Sequence, residues 1–294
     1  MATLSTCTST TRPGSPSAGD MLYETDTSRA ILYTGSAWKV FAPSDSAYPI
    51  DGTSIISKRP NFHFDAENFN GFDTSGNPSD GTKIDTSTVW KCRATGGDIE
   101  GSQAASADEP TYKTGGTNSK PYVKFASTEH IELSKLTSLS GPFTVFGIAQ
   151  TTSSLDLCLV GDGAGGGNAP LYNIHFNWTA GAEYLYFGRT GADNGAPALD
   201  YSTALRAILV IRDSSNNTRV YVDGNNTNSA VVGTNTQTQW VSALGMGTSP
   251  YNHDGDIYEV ALWDSDLSTA DRNLLGDYAQ AKYGSSNLGW TDFT

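Results

Sequence analysis

The chain has 294 residues, of which 37% are hydrophobic, 11% aromatic and only 17% charged, with 31 glycines and a net charge of −13. That balance excludes a helical protein, whose turns need Ala, Leu, Glu and Lys, and a disordered chain, because aromatic residues at this density fill a core. The acidic field repels a polyanion, so nucleic acid is not an expected partner.

Met1 to Ser9 carry neither a basic patch nor an apolar run, so no signal peptide is expected. No stretch approaches the roughly 18 apolar residues of a membrane helix, and no membrane insertion is expected. Pro13, Pro16 and Gly19 keep the next segment extended or turning. Three short β-rich runs follow, at 21–25, 30–34 and 38–42, parted by the turn residues Asp26 to Arg29 and Gly35 to Ser36. Residues 1–43 therefore read as a small β-meander. A unit of about 30 residues buries too little apolar surface to stand alone. Its Leu22, Tyr23, Ile31, Tyr33, Trp38 and Phe41 are expected to bury against a copy of itself, another protein or the following domain. Residues 44–59, rich in Ser, Asp and Pro, read as a linker that leaves the two parts free to reorient.

Residues 60–294 alternate short β-rich runs with clusters of Gly, Asn, Asp and Ser. Expected strands are 61–65, 122–125, 131–133, 143–150, 157–161, 172–177, 184–188, 207–213, 218–222, 240–246 and 256–263. That number of strands argues for an all-β protein whose large domain is an antiparallel sandwich. One helix is expected near the end: Ser268 is a plausible N-cap, Leu274, Leu275, Tyr278 and Ala279 recur at helical spacing, and Gly284 is a natural stop.

Two resemblances stand on these residues. The run Thr11-Arg12-Pro13-Gly14-Ser15-Pro16-Ser17-Ala18-Gly19-Asp20-Met21-Leu22-Tyr23-Glu24-Thr25-Asp26-Thr27, closing with Tyr33-Thr34-Gly35-Ser36-Ala37-Trp38, resembles a segment of bacteriophage fibre, spike and head-decoration proteins. From about residue 60 to 284 the order of pieces resembles the concanavalin A-like jelly roll, and within it laminin-G-like domains. The runs that carry it are Pro121 to Phe125 with His130 to Leu133, Gly141 to Ala149, Ile208 to Asp213 with Val220 to Gly224, and Gly255 to Trp263 with Leu267 and Ser268. Together they imply a virion structural protein on the particle exterior, made in the host cytoplasm. Head decoration or head fibre and short tail fibre or spike both remain open. Expected partners are other copies of the chain, as a homotrimer, a capsid or tail protein, and host-surface polysaccharide. The alternative is a secreted or cell-surface polysaccharide-binding protein or glucanase.

Candidate sites divide by chemistry. Glucanases of the concanavalin A-like fold carry Glu-x-Asp-x-x-Glu on one strand, aiming carboxylates into a cleft. This chain has Asp254, Asp256 and Glu259 at that spacing. The first acid is a shorter Asp, and the surrounding run equally fits the non-catalytic laminin-G pattern, so no catalytic residue is assigned. Calcium takes several oxygens from loops, and Asp162, Asp193, Asp223 and Asp254 are its candidate ligands, with Asn194 and Asn225 beside them. Asp223-Gly224 also reads simply as a hairpin turn. Sugars are held by aromatic faces and amide or carboxylate hydrogen bonds, and Trp178, Tyr184, Trp240, Tyr251, Asn252 and His253 are candidates. Tyr251 and Trp178 fit core positions equally well, while Trp90 and Trp263 read as core. His63, His130, His175 and His253 show no metal-ligand spacing, no nucleophile elbow is present, and Cys7, Cys92 and Cys158 read as reduced and mostly buried.

Overall fold

The computed structural model describes residues 5–8, 10–18, 20–24, 29–33, 35–36, 38–40, 60–71, 76–93, 99–126, 128–151, 157–161, 174–179, 182–187, 203–224, 230–234, 239–246 and 253–294. The chain divides into two compact units, 1–51 and 52–294. The expected linker, 44–59, lies wholly outside the described residues.

The first unit is a four-stranded sheet, β1 (Ser5–Cys7), β2 (Met21–Glu24), β3 (Arg29–Tyr33) and β4 (Trp38–Val40), in that spatial order. The last three form the expected antiparallel meander, with Leu22 opposite Ile31 and Tyr33 opposite Trp38. β1 is an addition. It pairs parallel to β2, a connection that the intervening exposed, Pro-containing segment makes possible. Leu22 is buried and Tyr33 half-buried. The side chains of Tyr23, Ile31 and Trp38, and all of Phe41, lie outside the described residues.

The second unit is an antiparallel β-sandwich of two sheets. One runs β17-β16-β15-β11-β19-β9-β8, with β5 also pairing β19 beyond β9, and the other β14-β13-β12-β18-β10-β7-β6. In the first, β11 (Phe143–Thr151) lies between β15 (Arg206–Arg212) and β19 (Gly255–Trp263). β16 (Asn217–Val222) and β17 (Ala230–Thr234) extend it on one side. On the other, β5 (Phe62–Asp65) and β9 (Tyr122–Phe125) share β19 end to end, and β8 (Thr111–Lys113) closes the edge. The second sheet holds β6 (Trp90–Lys91), β7 (Glu100–Ser102), β10 (Ile131–Leu139), β12 (Leu157–Gly161), β13 (Ile174–Thr179), β14 (Ala182–Phe187) and β18 (Gln239–Leu244).

Period-two alternation dictates which face each strand buries. Phe62 and Phe64, Phe143, Val145 and Ala149, and Ile257, Val260 and Leu262 point inward from one sheet, meeting Ile131, Leu133, Leu159, Val241 and Leu244 of the other in one core. The sheets approach closely at Gly147, where a Cβ would lie 2.5 Å from the Leu159 side chain. β6, β7 and β8 were not expected, because two or three residues carry no readable period, and neither was the five-residue β17, Ala-Val-Val-Gly-Thr, which has no apolar–polar alternation.

The expected helix, α1, spans Thr269–Tyr283, with the Ser268 hydroxyl accepting from the Asp271 amide and Gly284 at φ 91° ending it. Behind it the C-terminal tail folds back. Trp290 lies against Gly276, where a Cβ would come 2.0 Å from the indole nitrogen. The Asn273 side chain pairs with both backbone groups of Phe293, at 2.8 and 3.1 Å. Among the described residues no helix is long and apolar enough to cross a membrane.

Candidate functional site

The face of β19 turned away from the core carries the acids. An alternating strand would put Asp256 and Glu259 on opposite faces. Here the register with β11 slips: Glu259 stands opposite Ile148 but Ile257 opposite Ala149, which leaves Tyr258 as an extra residue. This bulge returns both acids to the outer face. Asp256 stays near the strand's start, where the Gln150 amide donates to it at 2.6 Å. Burial raises its pKa, opposed by Gln150 and Lys124.

Glu259 has a different environment. Opposite it in register stands Asp65 of β5, with His63 two residues before on the same face. Phe62 and Phe64 take the core side, so the segment Phe-His-Phe-Asp buries an aromatic face and a polar face at once. α1 lies over the polar face and supplies Tyr278, Lys282 and Tyr283. His63 Nε2 is 2.5 Å from Glu259 Oε1. The Tyr278 hydroxyl donates to the same carboxylate at 2.8 and 3.0 Å, and that of Tyr283 at 3.0 Å. Lys282 Nζ lies 2.9 Å from Glu259 Oε2 and 2.9 Å from Asp65 Oδ1. Asp65 Oδ2 accepts from Arg93 Nη1 and from Asn68 Nδ2, both at 2.7 Å. Around the rim, Glu67 accepts from Lys120 at 2.6 Å.

All of this is dry. Glu259 is 0% and Asp65 1% exposed. Burial by itself would raise the Glu259 carboxyl, but Lys282 and His63 outweigh it and hold it well below the usual carboxylate range. Lys282 shows the converse: burial would lower it, and Asp65 with Glu259 holds it well above the usual lysine value. Burial, with the nearby carboxylates, pushes both tyrosines up, and burial lowers Arg93 to about 10. Two buried carboxylates thus face the Lys282 and Arg93 cations.

His63, Asp65 and Glu259 are the one set among the described residues close enough to hold a metal ion, their ligand atoms lying within 4.8 Å of one another. The Lys282 ammonium already bonds two of the three, filling the place and the charge of a cation, so the set does not fit a metal. It was not visible in the sequence because His63 and Glu259 are 196 residues apart. The one available signal was His63-x-Asp65 on a strand whose alternate residues are both Phe.

The sequence-derived candidates fare unevenly. Asp254, Asp256 and Glu259 do not converge on an open cleft, since α1 covers Glu259. A general acid needs a raised pKa and access to the leaving oxygen, and Glu259 has neither. His253 is corrected as a sugar contact: it is 0% exposed, set edge-on to Phe125 at 5.5 Å. Asp223 is corrected as a calcium ligand. It is buried and its carboxylate binds Arg206 Nη1 at 2.6 Å and the Ala207 amide at 2.9 Å. The turn reading accounts for it, with φ 55° at Asp223 and 88° at Gly224. Gly224 also bridges Thr291, where a Cβ would meet the Thr291 backbone. Trp178, Tyr184 and Trp240 fall on β13, β14 and β18 with side chains outside the described residues, as are Asp162, Asp193, Tyr251 and Asn252 altogether. Trp90 and Trp263 are buried, as are Cys92 and Cys158, while Cys7 is partly exposed; none of the three cysteines is in a disulfide.

No protein-family model matches the chain, and no curated protein matches it. Among solved structures it is similar to Trypanosoma rangeli sialidase, at 12% identity and TM-score 0.44 over 90% of this chain and 44% of that one. It is also similar to a GH54 α-L-arabinofuranosidase, at 13% identity and TM-score 0.47 over 66% of this chain and 51% of that one. A third likeness is to an arabinofuranosidase complexed with arabinofuranosyl-α-1,2-xylobiose, at 11% identity and TM-score 0.45 over 68% and 50%. The chain spans about half the length of these structures or less.

Proposed function

We propose that the chain is a bacteriophage structural protein displayed on the virion exterior, as a head decoration, head fibre or short tail spike. Its N-terminal sheet attaches and oligomerises. Its sandwich, of concanavalin A-like and laminin-G-like kind, faces outward toward host-surface polysaccharide. The observation that carries this reading is the N-terminal segment. The residues that resemble phage fibre and decoration proteins form a compact unit of their own, 1–51, built on a four-stranded sheet. A sheet of three- to five-residue strands is too small to be stable without a partner surface.

The competing glucanase reading needs Glu259 at an open cleft, and its burial under α1 speaks against that role. The test is the solution mass of the full chain beside a chain beginning at Thr53. A full-length trimer with a monomeric truncated form supports attachment and assembly through the first unit. A full-length monomer contradicts self-assembly and sends the search to a capsid or tail protein. Trimers from both would place assembly in the sandwich and sink the role given to the N-terminal sheet.

A further inference from the structure

The cluster beneath α1 holds more than an ion pair. A lysine amine, a carboxyl carbon and a second carboxylate stand together, the two carboxylates buried and the lysine side chain 9% exposed, and further donors surround the carboxyl. We propose that Lys282 and Asp65 become joined by an intramolecular isopeptide bond, formed without any other protein.

Each group has a part. Lys282 Nζ is the nucleophile, 2.9 Å from Asp65 Oδ1. The carboxyl carbon of Asp65 is the electrophile. Arg93 Nη1 and Asn68 Nδ2 both donate to the other oxygen, Oδ2, where negative charge gathers as the tetrahedral intermediate forms. The ammonium passes its protons to Oδ1 across the same 2.9 Å contact, and Glu259 Oε2, 2.9 Å from Nζ, holds the amine against the Asp65 carboxyl while they move. Oδ1 also accepts from the Glu67 amide, which steadies the carboxyl while the amine attacks. His63, Tyr278 and Tyr283 hold Glu259 in place through its two oxygens.

The balance closes within the pair. The Nζ–Cγ bond forms and the Cγ–Oδ1 bond breaks. The ammonium gives up two protons, which leave with Oδ1 as water. One positive and one negative charge vanish together, and Arg93 and Glu259 remain as a matched pair. No oxidant, reductant or cofactor enters.

Burial supplies the driving force. In water an ammonium and a carboxylate are better solvated apart than condensed. In this largely buried site most of their solvation has already been lost, so turning the pair into a neutral amide removes a standing cost. Holding amine and carboxyl in contact gives an effective concentration of many orders above any solution value. The product ties β5, the first strand of the sandwich, to α1, its last element. That is a covalent closure of the whole unit, of use to a domain exposed outside a particle to proteases and shear.

The test is the intact mass of the purified full-length chain after overnight incubation at neutral pH, followed by tryptic mapping. The expected result is a mass below that of the sequence by one water, about 18 Da. Trypsin should fail to cut after Lys282, and one peptide should contain both the Asp65 and Lys282 segments. Glu259→Gln and Lys282→Arg should return the full mass. A wild-type chain at its full sequence mass overturns the proposal and leaves an ordinary ion pair, whatever the variants do. A lost water mapped to any other residues also overturns it.

Discussion

Acidifying the solution from about pH 7 to about pH 5 should weaken the sandwich through a single side chain, His253. It is wholly enclosed beside Phe125, and no hydrogen bond of normal geometry reaches either ring nitrogen. Burial lowers its pKa from 6.5 to about 3, opposed weakly by the Asp256 main chain. The unfolded chain takes up a proton below pH 6.5 and the folded chain does not until about 3. Stability is therefore intact above 6.5 and falls as the pH drops through that window. The slope is about 1.4 kcal/mol per pH unit, or about 2 kcal/mol by pH 5. Glu259 contributes no slope there, because its folded pKa is depressed and its effect begins below the unfolded carboxylate value of 4.5. Asp256 works the other way, its raised pKa easing the cost of a buried charge as acid is added. Comparison with His253→Leu removes that common background. The assay is urea unfolding of both proteins at the two pH values. The wild type should lose about 2 kcal/mol more than the variant between them. Equal losses would refute the neutral, enclosed imidazole.

Other expectations are local. Gly276→Ala drives a methyl into the Trp290 indole and should cost about 1–3 kcal/mol, read as a lowered Tm. Ser268→Ala removes the hydroxyl that caps α1 and should cost about 1 kcal/mol in urea unfolding. Asp223→Ala leaves Arg206 and the Ala207 amide without their shared acceptor and should destabilise by about 1–3 kcal/mol, whereas a calcium ligand would show its loss only with the metal present. Below pH 4.5, the Glu259 carboxylate contributes stability that is lost as the pH falls, so the acid limb of the unfolding curve should flatten in Glu259→Gln.

Local information in the sequence reached a good part of this molecule. The alternation in Phe143 to Gln150 placed β11, the Ser268 hydroxyl and Gly284 bounded α1, and the turn residues around the 21–25, 30–34 and 38–42 runs outlined the first unit's meander. These features arise from contacts within a few residues, where backbone preference and side-chain period act directly. What only tertiary structure decided was the company the acids keep. β5 pairs with β19 across most of the chain, a bulge at Tyr258 turns Asp256 and Glu259 to one face, and α1 comes down over them with Lys282. Register and burial depend on which distant strands meet, so in one dimension Glu259 fitted a glucanase spacing and a non-catalytic strand alike, and His253 stood as a candidate sugar contact. The packed chain gives the first to a sealed charge network and the second to the core.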